Sequence, residues 1–435
     1  MPASRQRLDR NDIRTLVLSA LGGTLEFYDF VVFVFFAIPL GHLFFPPDTP
    51  PWLAQLQVFG IFAAGYLARP LGGIVMAHYG DTSGRKRMFM LSVFLMALPT
   101  LAIGLLPVYA QIGALAPVLL LGLRVVQGIA VGGEVPGAWV FVAEHAPRGR
   151  TGFACASLTS GLTAGILLGS LAAAAINAHF SHAELLAWGW RLPFIAGGVF
   201  GFFAVWLRHW LAETPVFEAM RARKQLARGL PLALVLRDHR GAIALSMLVT
   251  WMLTAAIVVV ILMAPVLVQS TFHLPATRAF AGNAVASLAL AAGCLAFGRL
   301  TDRVGSAWSL LVGAAALALS TWWLFVDLRA GGAHFLPLYA LAGFCVGVVG
   351  VVPVVMVEAF PPAIRFSGLS FSYNIAYALF GGFTPPLVGL LVRGFGPLAP
   401  AHYVAVTALV GAGVAAWLLA RGRQVQNSSS CTAQR

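Results

Sequence analysis

The chain has 435 residues, 59% of them apolar, with 46 glycines and only 10% Asp, Glu, Lys or Arg. Soluble domains carry about 25% charged residues. With a mean hydropathy of +0.86, the composition excludes a cytosolic enzyme, a secreted disulfide scaffold and a disordered chain, and points to an integral membrane protein. A net charge of +13 would suggest nucleic acid on a soluble protein. Here the cations fall in short segments between apolar runs, so the membrane accounts for them and no nucleic-acid partner is expected.

The chain begins with a charged arm, residues 1–14 (Arg5, Arg7, Asp9, Arg10, Asp12, Arg14). The apolar run that follows is too long for a signal-peptide core. Breaks at charge clusters and Pro/Gly turns, with about 20 apolar residues needed to cross a bilayer, predict twelve spanning helices. They cover 15–43, 52–76, 88–107, 115–142, 152–176 and 192–211, then 242–268, 279–297, 308–328, 335–357, 368–392 and 403–419. With both termini cytoplasmic, inner segments hold 22 of the 28 cations and outer ones only Arg191, Arg278, Arg329 and Arg393. That bias obeys the positive-inside rule, and an odd span count would destroy it.

The expected architecture is therefore all-α, with two six-helix bundles (15–211 and 242–420), a cytoplasmic linker (212–241) and a tail (421–435). The linker reads as a basic amphipathic helix lying on the anionic inner leaflet. A repeat supports the division. Asp81, with Gly84 three residues on, follows the second span, and Asp302, with Gly305, follows the eighth. A second pair, Glu144…Pro147…Arg150 and Glu358…Pro361…Arg365, follows spans four and ten. Two repeated halves are a transporter architecture with a ligand site near mid-membrane.

Charged side chains inside spans cost at least about 2.5–3.5 kcal/mol each at a helix centre, so each calls for a purpose. Five occur away from the span ends: Glu26, Asp29, Arg69, Arg124 and Glu134. Glu26 and Asp29 share a helix face, where two carboxylates disfavour joint ionisation; one becomes a natural proton acceptor, the alternative being an ion pair with an arginine. Helix rise places Arg69 and Glu134 at about one depth, ~13 Å from the inner surface. Arg124, with Gln127 one turn on, suits a carboxylate substrate held bidentately, or else serves as a salt-bridged anchor. Tyr373, Asn374 and Tyr377 are cavity candidates on span eleven. Gly161, Gly165 and Gly169 mark close helix packing.

In the loop after span two, Asp81 can cap the next helix, while Arg85, Lys86 and Arg87 can pair with Glu144 on the inner face or act as a positive-inside anchor. Extending this to the repeat gives a candidate cytoplasmic gate of Asp81, Gly84, Arg85, Lys86, Glu144, Arg150, Asp302, Glu358 and Arg365. No Walker, GxSxG, HExxH or CxxC pattern occurs, so no enzyme activity, cofactor or metal is expected, and uphill movement would draw on an ion gradient. Cys155, Cys294 and Cys345 read as core fillers.

The strings GGTLEFYDF from Gly22, LARPLGG from Leu67, RVVQGIAVGGEVPGA from Arg124, WGWRLPF from Trp188, ETPVF from Glu213 and LFGGFTPP from Leu379 together resemble the major facilitator superfamily. Within it they are most similar to the bacterial metabolite–proton symporters of the citrate, 2-oxoglutarate, shikimate and proline/betaine type. The resemblance implies a gate built on Asp81, Arg85 and Glu144, and proton and substrate chemistry on Glu26, Asp29, Arg69, Arg124 and Glu134. Phe27 stands where that family usually has tryptophan, which makes the wall facing span one more apolar. The expectation is a monomeric, multi-pass inner-membrane symporter that couples a small organic anion (citrate, 2-oxoglutarate or shikimate) to protons by alternating access. The competing readings are a proline/betaine–proton symporter and a proton-coupled drug or metabolite exporter.

Overall fold

A computed structural model describes residues 23–24, 27–83, 85–132, 134–146, 149–209, 231–361 and 364–432. Every regular element among them is helical. Hydrocarbon offers no hydrogen-bond partners, so a charge-free run of 20 residues closes its backbone bonds within itself as a helix. In chain order the helices are α1 (Phe27–Phe35) and α2 (Ala37–Phe44), then α3 (Pro51–Ser83) and α4 (Arg85–Leu105). Next come α5 (Leu115–Val131), α6 (Glu134–His145), α7 (Thr151–His179) and α8 (Arg191–His209). The short α9 (Pro231–Asp238) precedes α10 (Arg240–Ser270), α11 (Ala276–Val304) and α12 (Ser306–Arg329). The last are α13 (Phe335–Ala359), α14 (Ser367–Phe395) and α15 (Ala399–Thr432). By length and apolarity, nine described helices can cross a membrane, or ten with α1 and α2 counted as one bent span.

Irregularities in these helices follow the prolines. Proline lacks the N–H that would bond the carbonyl four residues earlier, and its ring crowds that carbonyl. Pro39 stands four residues after Phe35, where α1 and α2 meet at 65°. Pro136 stands four after Gly132, where α5 gives way to α6. In the same way, π-helical turns at Leu185–Gly189, Ala256–Met263 and Tyr377–Gly381 precede Pro193, Pro265 and Pro385, and a 3-10 turn at Gly347–Gly350 precedes Pro353. Pro70 and Pro99 are carried inside continuous helices.

Close helix contact comes from missing side chains, as expected where lipid gives no hydrophobic drive between helices. A Cβ on Gly128 of α5 would strike the Gly65 carbonyl of α3, and one on Gly72 of α3 would strike the Ile129 carbonyl. A Cβ on Gly165 would meet the Thr24 carbonyl, and one on Gly169 would lie 2.9 Å from Val31 and 3.3 Å from Phe35, so the glycine series of α7 seats α1. The most extensive helix pairing joins α7 to α11, which come from opposite halves of the sequence. Gly152 and Gly298 face each other where the two cross. Exposed Trp52, Trp188, Trp308, Trp323 and Trp417 lie toward the ends of the apolar segments, as interfacial tryptophans do.

Candidate functional site

Six helices, α1, α3, α4, α5, α6 and α14, build the surroundings of the two buried cations. Arg124 on α5 is fully buried, and the turn spacing of α5 puts Gln127 beside it. Arg124 Nη1 donates to Gln127 Oε1 at 2.6 Å, and Nη2 reaches the Phe30 carbonyl of α1 at 3.5 Å. Gln127 Nε2 in turn donates to the Thr100 hydroxyl of α4 at 2.6 Å. The guanidinium carbon lies 4.5 Å from the Phe30 ring centre, 4.2 Å from Phe33 and 5.5 Å from Phe62 of α3. Arg124 is thus held by an amide, a carbonyl and three aromatic rings.

Arg69 on α3 sits in a second aromatic enclosure. Its guanidinium carbon is 5.5 Å from the Tyr66 ring centre, 5.6 Å from Tyr373 and 4.5 Å from Tyr377, the last two on α14. The rings also touch one another: Tyr66 lies 5.5 Å from Tyr377, Tyr373 lies 4.5 Å from Tyr377, and Trp139 of α6 lies 5.0 Å from Tyr373. Phe30 and Phe62, 4.8 Å from Tyr66, join this enclosure to the one around Arg124. Neither guanidinium has a carboxylate within 4.0 Å among the described residues, and the Nε of each lacks a partner. Buried charges are ordinarily paired, and π faces offset only part of the lost hydration.

Asp29, also buried, faces the α4–α8 side of α1. Its carboxyl lies beside the Thr100 hydroxyl, within reach of the Arg124 charge but not ion-paired to it, and Oδ1 has no hydrogen-bond partner. Bare glycine backbone on α8 makes room for it: a Cβ on Gly197 would fall on Oδ1, and one on Gly201 would lie 3.7 Å from Oδ2. The chain Asp29–Thr100–Gln127–Arg124 runs across α1, α4 and α5. Asn374 of α14 donates through Nδ2 to the Gly132 carbonyl at the α5–α6 break and to the Ser370 carbonyl at 3.0 Å. Its Oδ1 has no partner.

Of the sequence-predicted site residues, Arg69, Tyr373 and Tyr377 meet in one enclosure, and Asp29, Arg124 and Gln127 meet in the other. Glu26 and Gly84 lie outside the described residues, as do the side chains of Asp81, Arg85, Lys86, Glu134 and Glu144. Asp302 stands in the last turn of α11 and accepts from the N–H groups of Gly152 at 2.8 Å and Phe153 at 3.0 Å, capping the first turn of α7. Arg150 is close enough for its charge to reach Asp302. Gly305, at φ +90°, ends α11 directly beyond Asp302. Glu358 accepts from the Ser306 hydroxyl at 2.6 Å, and Arg365 Nε donates to the Val357 carbonyl at 3.0 Å. The residues that the sequence reading passed over are Tyr66, Phe30, Phe33, Phe62, Thr100, Gly197 and Gly201. Tyr66 and Phe62, one and two turns before Arg69 on the same helix face, were open to discovery by spacing.

Comparison with known proteins agrees with this architecture. The profile described as Major Facilitator Superfamily matches residues 20–383. A putative proline/betaine transporter of Staphylococcus aureus (strain COL) is 32% identical, over 92% of this chain and 86% of that protein. The shikimate transporter of Escherichia coli (strain K12) is 31% identical, over 92% and 91% of the two chains. Among solved structures, the crystal structure of a D-xylose–proton symporter superposes with a TM-score of 0.72 at 19% identity, covering 92% of this chain and 97% of that one, a likeness of fold alone. The family relatives are transporters rather than enzymes, and the helices fit a multi-pass inner-membrane protein. The chain belongs to the Major Facilitator Superfamily.

Proposed function

We propose that this transporter is a proton-coupled symporter for a small organic carboxylate, working by alternating access. In this reading twelve spans leave both termini cytoplasmic, and residues 15–211 and 242–420 form two bundles joined by the linker 212–241. Arg69, Arg124, Gln127, Tyr373, Asn374 and Tyr377 bind the substrate, while Glu26, Asp29 and Glu134 handle protons. The protein acts as a monomer in the bilayer.

The observation that carries this reading is the pair of buried guanidinium groups, each on aromatic faces and without a described carboxylate partner. An arriving carboxylate supplies the missing counter-charge and accepts from the planar N–H fork. A zwitterion would bring the same carboxylate, and the proline/betaine relatives favour that second reading. Its ammonium, however, would find Tyr66, Tyr373 and Tyr377 already facing Arg69, and a like charge nearby. This favours a substrate with no cationic group, of the class named for the shikimate relative.

Uptake of labelled shikimate, citrate, 2-oxoglutarate, proline and glycine betaine into proteoliposomes, with and without an imposed pH gradient, tests the choice. Concentrative uptake of one of the acids, lost when the gradient is collapsed, is the expected result. Uptake of proline or betaine alone would replace this reading with the osmolyte one.

The cap of Asp302 on α7 is assigned to the inner gate, with Asp81, Gly84, Arg85, Lys86, Glu144, Arg150, Glu358 and Arg365. Hydrogen bonds to a charged group are worth about 1.5–3 kcal/mol each. Asp302→Ala is therefore expected to move the equilibrium at least tenfold, as about 1.4 kcal/mol suffices for that, toward the state in which the start of α7 and the end of α11 separate. Spin labels at Thr151 and Val304, with distances read by pulsed electron resonance in nanodiscs, check this. An unchanged distance distribution would remove Asp302 from the gate.

A further inference from the structure

A cavity of about 400 Å³ opens between the start of α3, the end of α10 and the end of α14, lined by Trp52, Gln55, Phe59, Leu267, Ser270 and Arg393, among others. We propose that it is an antechamber: a second carboxylate-binding site, on the outer face, at which Arg393 receives the substrate before it descends to Arg69. The inference rests on the carboxylate reading and the orientation given above. It adds a site that the buried arginines do not require.

Arg393 is exposed, and its guanidinium carbon lies 3.6 Å from the centre of the Trp52 ring. A guanidinium stacked by its face keeps its N–H groups in the free plane, the geometry that accepts a carboxylate edge-on. No described protein group accepts from Arg393. Gln55 and Ser270 supply further polar groups at the same wall, while Phe59 and Leu267 give an apolar floor. A few convergent polar groups over an apolar lining, at this volume, suit a small metabolite.

The cavity also leads somewhere. Trp52, Gln55, Phe59, Phe62, Tyr66 and Arg69 recur every three or four residues and so share one face of α3. Ten residues of helix put Arg69 about 15 Å below Phe59. Opposite this face, α14 presents backbone: a Cβ on Gly389 would lie 3.8 Å from Leu56, and one on Gly382 would lie 3.2 Å from both Tyr66 Cβ and the Ala63 carbonyl. The seam is roomy at the cavity and shut at Tyr66. A substrate held at Arg393 therefore waits directly above the barrier that alternating access must open.

Fluorine resonance of 5-fluorotryptophan protein in phosphatidylcholine nanodiscs, with the Trp52 signal assigned through Trp52→Phe, tests the site without relying on transport. Shikimate is expected to shift the Trp52 resonance saturably in the wild type and in Arg69→Gln, and not in Arg393→Gln. In oriented proteoliposomes Arg393→Gln should raise KM for outside entry about tenfold, leave Vmax within twofold and leave KM for inside exit unchanged, and Arg393→Lys, which keeps the charge but not the stacked planar fork, should recover only part of the loss. A Trp52 resonance that none of shikimate, citrate or 2-oxoglutarate moves overturns the antechamber, whatever uptake shows. So does a shift produced only by adding phosphatidylglycerol, which would give the site to a lipid headgroup. Failure of the carboxylate reading shows separately, as uptake confined to proline or betaine.

Discussion

Arg124→Gln is expected to abolish saturable substrate binding and with it all concentrative uptake. Gln127 Oε1 and the Phe30 carbonyl both accept from this guanidinium, and Phe30, Phe33 and Phe62 surround it. The site therefore holds one fixed positive centre, oriented from both α1 and α5. Removing one member of a buried, hydrogen-bonded charge pair costs about 2–5 kcal/mol, which converts to a loss of roughly 30-fold to several thousand-fold in affinity.

Arg124→Lys separates charge from shape. Lysine keeps the cation but loses the planar fork, and a point charge cannot satisfy Gln127, the Phe30 carbonyl and a bidentate carboxylate together. Affinity should fall at least tenfold with transport still measurable at high substrate. Calorimetric titration in detergent, with shikimate as ligand, reads both variants. Wild-type affinity in Arg124→Gln would show that this arginine is a structural anchor, and the substrate would have to be sought at Arg69 alone.

Much of the fold could be read from the chain because hydrocarbon makes demands that are local in sequence. A run of 20 uncharged residues has one solution, and α7, α11, α12 and α13 lie where such runs predicted them. Helix ends were less legible. The reading stopped α3 near Met76 and α11 near Phe297, whereas the helices continue to Ser83 and Val304. Polarity marks where the bilayer ends, while a helix in water ends only where its capping or its neighbours end it. Asp302 therefore stands in a helical turn rather than a loop, and its partners on α7 are 150 residues away. No local pattern could name them.

The site divides in the same way. That Arg69 and Arg124 were costly and so purposeful followed from depth alone. What surrounds them did not. Each aromatic enclosure is assembled from separate helices, Tyr66 with Tyr377 and Phe33 with Phe62, and a buried aromatic in a membrane chain carries no signature of its role. The side of α1 that Asp29 occupies was equally hidden, because Gly197 and Gly201, which make room for it, carry no side chain that could signal a role.

Asp29→Asn should separate substrate binding from proton coupling. The carboxyl is buried against Gly197 and Gly201, and it is coupled to Arg124 both by charge and through Thr100 and Gln127. On the proposed assignment, substrate bound at Arg124 would pull on that guanidinium, and the change would reach the carboxyl through its charge and through Gln127 and Thr100. Asparagine matches the shape of aspartic acid but cannot take up or release a proton. Exchange of labelled for unlabelled substrate needs no net proton movement and should persist within a few-fold of wild type. Accumulation driven by an acidic exterior does need it, and should collapse to the equilibrium level. Its normal rise as external pH is lowered against a fixed interior should flatten as well. Counterflow and gradient-driven uptake in the same proteoliposomes distinguish the two. Should the variant still concentrate substrate against its gradient, the coupling proton travels elsewhere, with Glu26 and Glu134 the next residues to replace. Should exchange vanish along with accumulation, Asp29 belongs to the scaffold that holds α1 against α4 and α8.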